Sequence, residues 1–391
     1  MYDTAIIGGG ASGLAAAIMA ARRGKSVLLL ERLPRVGKKI LSTGNGRCNI
    51  TNAQISPENY HGTDASFSKE ALSKFPVSET MAFFASLGLP LWEGENGKLY
   101  PKSLQATSVL DLMRLELTRL GVAETVDTNI VSLSKKGDGF LLKSEDGRSF
   151  SSKNVICAFG GKAAPSMGTD GAGYSLLTKM GHKLIKPLPS LCQLKTENPM
   201  RALKGVKHEG EAAIYIDGKA VRTTKGEILF TDYGISGPPV FNLSRMASEG
   251  ISTGRKVTVS LNLMPEYTED GIFAMLRKRR QALPHLDGES FLYGMLPKLL
   301  GREVLKRAKN DRELAYLLHS FPLTVSGVMP WANAQVTAGG IDTKDVNPQT
   351  MESRLVPGLY LIGELLDVDG DCGGYNLQWA WSSAYMAANA I

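Results

Sequence analysis

At 391 residues, 43% hydrophobic and 21% charged, the chain has the make-up of a globular protein with room for two or three domains. A formal charge of +7 suits anionic ligands of many kinds, and no run of about 18 uninterrupted apolar residues offers a membrane span. The four cysteines form no C-x-x-C pair and no metal spacing with the five histidines, which argues against adjacent-pair disulfide chemistry and against a metal site.

Residues 4–7 are a short apolar run, followed at once by Gly8, Gly9, Gly10, Ala11, Ser12 and Gly13. A small-residue helix is predicted over 14–23, a second apolar strand over 27–30, and Glu31 closes it, 18 residues after Gly13. Strand, glycine turn, helix, strand and terminal acid are the order of a dinucleotide-binding βαβ unit. Gly8 permits the tight turn, Gly10 lets backbone approach a pyrophosphate, and Gly13 lets the helix pack on the sheet. The amides at the helix start face the phosphate charge. The Glu31 carboxylate suits ribose hydroxyls and opposes a 2′-phosphate. The apolar start lacks a basic leader, so it reads as this unit and not as a secretion signal, and a cytoplasmic protein is expected.

Residues 42–52 form a polar loop of small and amide side chains suited to wrapping a ligand, with Arg47 placed for an anion or carbonyl. Helices are predicted over 78–87 and 106–120, and strands over 124–133, 139–144 and 154–159. The last strand ends at Gly160-Gly161, and a glycine-rich loop then leads into a helix over 174–180.

Composition changes near residues 187–189. From there to about 265 the pattern alternates as an antiparallel β module, with strands expected over 212–216, 227–230 and 256–263. Residues 270–319 read as helical, and the basic cluster Arg277, Lys278, Arg279 and Arg280 as a solvated helix face. Strand character resumes at 323–325. The return to the first domain is marked by residues 334–341 and by a buried strand ending in Gly363-Glu364. A glycine loop with Asp367, Asp369 and Asp371 follows, then a helix from Leu377. Asp367 and Asp371 suit a cofactor contact or the cap of that helix. Two phosphate-facing devices at opposite chain ends suit one extended cofactor such as FAD. The domains expected are 1–189 with 336–391, 190–265 with 322–335, and a helical insertion over 266–321.

The stretches Gly8 to Gly13 with Glu31, Thr43-Gly44-Asn45-Gly46-Arg47-Cys48-Asn49, Leu229 to Pro238, and Gly363-Glu364 through Gly374-Tyr375-Asn376-Leu377-Gln378 resemble one bacterial family. It is the NAD(P)/FAD-dependent oxidoreductase family that includes BaiN-type bile-acid reductases and aminoacetone oxidase, and the likeness spans nearly the whole chain. The resemblance implies an α/β fold: a glutathione-reductase-type FAD-binding Rossmann domain with inserted β-barrel-like and helical modules. It implies that Gly8, Gly10, Ala11, Ser12 and Gly13 hold the FAD pyrophosphate and Glu31 the ribose, with Arg32 and Lys38 nearby. Gly46, Arg47, Cys48 and Asn49 would lie along the flavin, while Ile130, Ala158 and Gly160 would line the adenosine half. Gly363 and Glu364 would meet the ribityl-pyrophosphate region, and Asn376 with Leu377 would present a helix start to the isoalloxazine. Asp367, Gly374 and Tyr375, which flank these residues, are cofactor-binding candidates by position, the Tyr375 phenol placed to hydrogen-bond the flavin or to donate a proton.

The activity implied is transfer from NAD(P)H, a transient donor, through flavin N5 to the activated C=C of a steroid- or bile-acid-like enone. An amine or aminoketone oxidase using oxygen and a flavin-bearing RNA-binding or scaffold protein stay open. A small-molecule substrate is expected, with no nucleic acid and no membrane. No catalytic residue is assigned, Tyr375 being the candidate. Where the family pattern has His, this chain has Asp232. Substrate, donor preference and oligomeric state are not legible.

Overall fold

The computed structural model describes residues 1–391. They divide into two compact units, Met1–Pro187 with Val336–Ile391, and Leu188–Gln335. The first is built on a seven-stranded sheet whose centre is the opening strand Tyr2–Ile7, flanked in parallel by Val27–Leu30 and Ser149–Cys157. Ala123–Thr125 extends one side and Leu359–Leu361 joins Ser149–Cys157, both in parallel. Buried on both faces, these strands read as unbroken apolar runs, as in Val27–Leu30. The antiparallel strands Ile130–Lys136 and Gly139–Ser144 complete the sheet. The Rossmann-type α/β fold expected from the sequence is thus present.

The predicted strand over 124–133 is two strands. Residues 126–129 leave the sheet and run beside the end of Val27–Leu30: Glu31 N–H donates to Thr125 O at 3.0 Å and Thr128 N–H to Glu31 O at 2.8 Å. Ile130 therefore begins a strand. The loop expected over 42–52 contains a 3-10 turn, Ile40–Gly46, and a short strand, Thr51–Asn52, paired with Lys98–Pro101.

In the second unit six strands close a barrel, in the order Leu194–Thr196, Gly234–Ser236, Lys219–Phe230, Lys207–Ile216, Val257–Asn262 and Phe321–Val328. The all-β reading of 190–265 missed a 15-residue helix, Pro238–Ser252. Its two prolines look like breakers, yet proline in the first turn has no intrahelical N–H to lose. The helices Glu269–Ala282, Lys298–Leu305 and Asp311–His319 share one core with the barrel: Leu276, Leu300 and Leu318 are buried in the same cluster as Val259 and Phe321. Of the basic cluster, Arg279 donates to Phe291 O and Tyr293 O, and Arg280 pairs with Asp311. Leu188–Gln335 carries 20 Lys and Arg against 15 Asp and Glu, +5 of the chain's +7. No helix is long and apolar enough to cross a membrane.

Candidate functional site

The glycine turn is held by contacts that leave no room for side chains on its protein side. Gly8 N–H donates to Leu30 O and Ala158 N–H to Ile7 O, both at 2.8 Å, joining three strand ends. A methyl group at Gly8 would sit 2.6 Å from Ala158 O, and one at Gly13 would overlap the Gly8 carbonyl. Gly10 differs: a Cβ there meets nothing within 4 Å. Its backbone has φ −80°, which any residue adopts. The protein itself does not demand glycine at position 10, whereas a ligand lying against the helix start would. The helix Ala11–Arg22 has no side-chain cap, so its positive end is open to an anion. Glu31 is buried and accepts from Gly9 N–H at 2.7 Å and Leu33 N–H at 2.9 Å. Burial pushes its carboxyl upward, opposed by these two bonds.

The other chain end reaches the same place. A methyl group at Gly363 would lie 2.7 Å from Ser12 Oγ. The C-terminal helix Tyr375–Ala390 holds Gly363 on both sides, Trp379 Nε1 donating to its carbonyl at 2.9 Å and its N–H donating to Ser383 Oγ at 3.0 Å. Glu364 accepts from Thr337 N–H and pairs with Lys39 at 2.7 Å. Thr337 Oγ1 in turn accepts from the amides of Lys162 and Ala163, anchoring the loop after Ala158 and Gly160.

Asp367 accepts from Thr63 N–H, and Asp371 from His61 Nε2 and Asn59 Nδ2. Neither acid caps the last helix, whose N-cap is Gly374 at φ 102° with no side-chain bond. That conformation, and a carbonyl (Thr51 O) 2.5 Å from any added Cβ, require glycine. Asn376 clamps the preceding loop through Gly370 N–H and Gly370 O, so its own amide and that of Leu377 start the helix. Tyr375 is largely buried, its carbonyl accepting from Tyr60 Oη at 2.9 Å.

Residues 43–49 run beside this helix start. Asn49 is 8% exposed, and its Oδ1, 3.0 Å from where a Gly374 Cβ would lie, has no hydrogen-bond partner. A buried amide oxygen left unsatisfied at a helix N-terminus needs a donor from outside the chain. Gly46 and Arg47 are exposed. Cys48 is fully buried and burial pushes its thiol up to about 12. Iodoacetamide applied to the native protein is therefore expected to leave Cys48 and the equally buried Cys157 unmodified, with labelling of both on unfolding; peptide mass spectrometry checks this.

Of the remaining expected site residues, Ile130 is buried two positions beyond Thr128, beside Glu31. Arg32 pairs with Asp170 at 3.0 Å, and Lys38 donates to Ser166 O. Sequence reasoning did not find Thr337, the pairing of Lys39 with Glu364, or that of His61 with Asp371. The two ion pairs join residues 325 and 310 positions apart, and no spacing announces them. Asp232 lies in the other unit, in an exposed ion pair with Lys204 at 2.7 Å. An open Gly10, two uncapped helix starts, an unpartnered Asn49 oxygen and a buried ribose-type acid in one unit fit an extended dinucleotide such as FAD.

A family model described as HI0933-like protein Rossmann domain matches residues 2–390. The 3-dehydro-bile acid delta(4,6)-reductase of Clostridium scindens is 40% identical over 413 residues, covering 100% of this chain and 99% of that protein. The ribosomal RNA dihydrouridine synthase of Haemophilus influenzae is 31% identical, covering 100% and 98%. Among solved structures, 3-ketosteroid delta1-dehydrogenase from Sterolibacterium denitrificans superposes with a TM-score of 0.51 at 14% identity, covering 99% of this chain and 98% of that one. The last likeness is one of fold.

Proposed function

From a chain that belongs to the HI0933-like Rossmann-domain family, we propose an FAD-dependent oxidoreductase that reduces a C=C bond conjugated to a carbonyl, with a bile-acid-like 3-oxo-enone as substrate. The observation that carries this reading is the meeting of both chain ends, Ser12 against Gly363, with each bordered by an uncapped helix start. In this reading the amides from Gly10 to Gly13 bind the pyrophosphate, and Glu31 the ribose. Ile130, Ala158 and Gly160 border the adenosine, and Gly363 with Glu364 the ribityl side. FAD bound there supplies two-electron reduction, with NAD(P)H as the transient donor. The amides of Asn376 and Leu377 place the positive end of the last helix where negative charge accumulates. Arg47 and Asn49 orient the flavin side, and Lys39 holds Glu364 in place.

The test is spectroscopic. The purified protein is expected to be yellow, to bleach on anaerobic titration with NADH or NADPH, and to recover colour on adding a 3-oxo-Δ4 steroid but not its saturated analogue. A preparation that neither contains nor takes up FAD would overturn the reading. Fast recolouring in air, with peroxide formed and no enone turnover, would favour the oxidase alternative.

A second reading is favoured by the relative named for ribosomal RNA dihydrouridine synthesis and by the basic balance of Leu188–Gln335. The uracil C5=C6 bond is also conjugated to a carbonyl, so the same chemistry would act on a uridine in RNA. Dihydrouridine formation in a uridine-containing ribosomal RNA fragment, read by mass spectrometry, tests it.

A further inference from the structure

Beside the start of the C-terminal helix lies a small sheet that the assigned roles leave unused. Its strands are Thr51–Asn52, Lys98–Pro101 and Leu91–Glu93. Alternation along the middle strand puts Leu99 and Pro101 on its buried face and Lys98 and Tyr100 on the other. Trp92 pairs across from Tyr100, their rings 6.2 Å apart and tilted 33°. Trp92 is 42% exposed, an unusual position for a large aromatic side chain.

This face is tied to the candidate site. Asn52 Nδ2 donates to Gly373 O at 2.9 Å, and Lys98 Cε lies 3.6 Å from where a Gly373 Cβ would be. Tyr100 Cε1 is 3.4 Å from the corresponding point at Gly44, in the loop that carries Arg47. Burial raises the Tyr100 phenol, and the nearby Arg47 charge opposes it. Arg47 and Lys98 are in no ion pair; Glu95, in the turn after Leu91–Glu93, and the Cys372 thiol both act on Tyr100, and Cys372 also lies within reach of the Lys98 charge.

We infer that this face is the substrate platform of the site: the flat conjugated ring of the substrate stacks on Trp92 and Tyr100, and its anionic group lies on Lys98 and Arg47. Aromatic surface supplies stacking and two unpaired cations supply charge complementarity, so the ligand class is an enone-bearing ring that carries a carboxylate or phosphate. The inference deepens the reading above and rests on it for the identity of the ring. A steroid carboxylate and a uridine nucleotide share this chemistry.

The experiment uses the full-length, FAD-loaded protein and equilibrium binding by tryptophan fluorescence and calorimetry. The probes are a 3-oxo-Δ4 bile acid, its neutral methyl ester, uridine 5′-monophosphate and uridine. At least one anionic probe is expected to bind more tightly than its neutral counterpart. Trp92→Ala should weaken that probe about tenfold or more, as loss of one stacking surface does. Lys98→Gln should reduce the preference for the anion, Arg47 keeping the rest, and both variants should keep the wild-type flavin spectrum and melting temperature. The anionic probe that responds identifies the source. Wild-type affinity in both variants, or equal binding of charged and neutral probes, would overturn the platform. Failure of the reductase reading shows separately, as absence of enone turnover by a wild-type protein that still binds the probe.

Discussion

Gly13→Ala is expected to yield a protein that purifies without bound flavin and melts roughly 6–12 °C below the wild type. The new methyl group would overlap the Gly8 carbonyl oxygen and come within 3.3 Å of Ala158 Cβ. The first of these neighbours is backbone pinned by the Gly8–Leu30 bond, so the helix Ala11–Arg22 must move off the sheet. Overpacking of this kind costs about 1–3 kcal/mol, and a backbone overlap belongs at the top of that range. For a unit of this size, about 2–4 °C is lost per kcal/mol. The moved helix start also takes its amides away from the pyrophosphate, which should weaken FAD about 100-fold. Gly10→Ala separates packing from binding. Its methyl group meets no protein atom, so the apoprotein should melt as the wild type does while FAD affinity still falls. Thermal melts of stripped protein and FAD titration decide both. A Gly10→Ala protein that binds FAD normally would remove the pyrophosphate from this turn.

Gln378→Leu is expected to be the most damaging single change to stability outside the glycine turn. Gln378 is fully buried on the C-terminal helix and makes four hydrogen bonds. Its Oε1 accepts from Thr51 Oγ1 at 2.6 Å and Thr80 Oγ1 at 2.9 Å, and its Nε2 donates to Phe75 O and Ser382 Oγ, both at 2.9 Å. Leucine matches the volume but leaves two buried hydroxyl donors without an acceptor. Each such group costs about 1–3 kcal/mol, so the loss for the two should be roughly 2–6 kcal/mol. Because Thr51 O also packs on Gly374, the start of the C-terminal helix should loosen, and FAD should bind more weakly in proportion. Chemical denaturation with and without excess FAD measures both effects. A loss below about 1 kcal/mol would mean that Thr51 and Thr80 find other partners.

The βαβ unit was legible because its evidence is local. Strand, glycine turn, helix and Glu31 fall within thirty-one residues, and each residue type answers to a backbone requirement a few positions away. The helix Pro238–Ser252 was not legible, since an amphipathic helix opening on two prolines looks the same as a turn between strands. The break at 126–129 was also missed. Asp127, at φ 47°, turns the chain there, and the polar run Asp127-Thr128-Asn129 then lies along Glu31 before Ile130 re-enters the sheet.

What the sequence determined by itself was therefore the kind of fold and the two glycine-rich ends that belong to one unit, because glycine and small-residue patterns are set by the backbone near them. Tertiary structure alone decided which side chains meet there. The pairing of Lys39 with Glu364, the hold of Trp379 and Ser383 on Gly363, and the sheet face of Trp92, Tyr100 and Lys98 beside Gly373 join residues far apart in the chain. Such contacts follow from how the strands and the last helix pack, and packing leaves no period or spacing in a linear sequence.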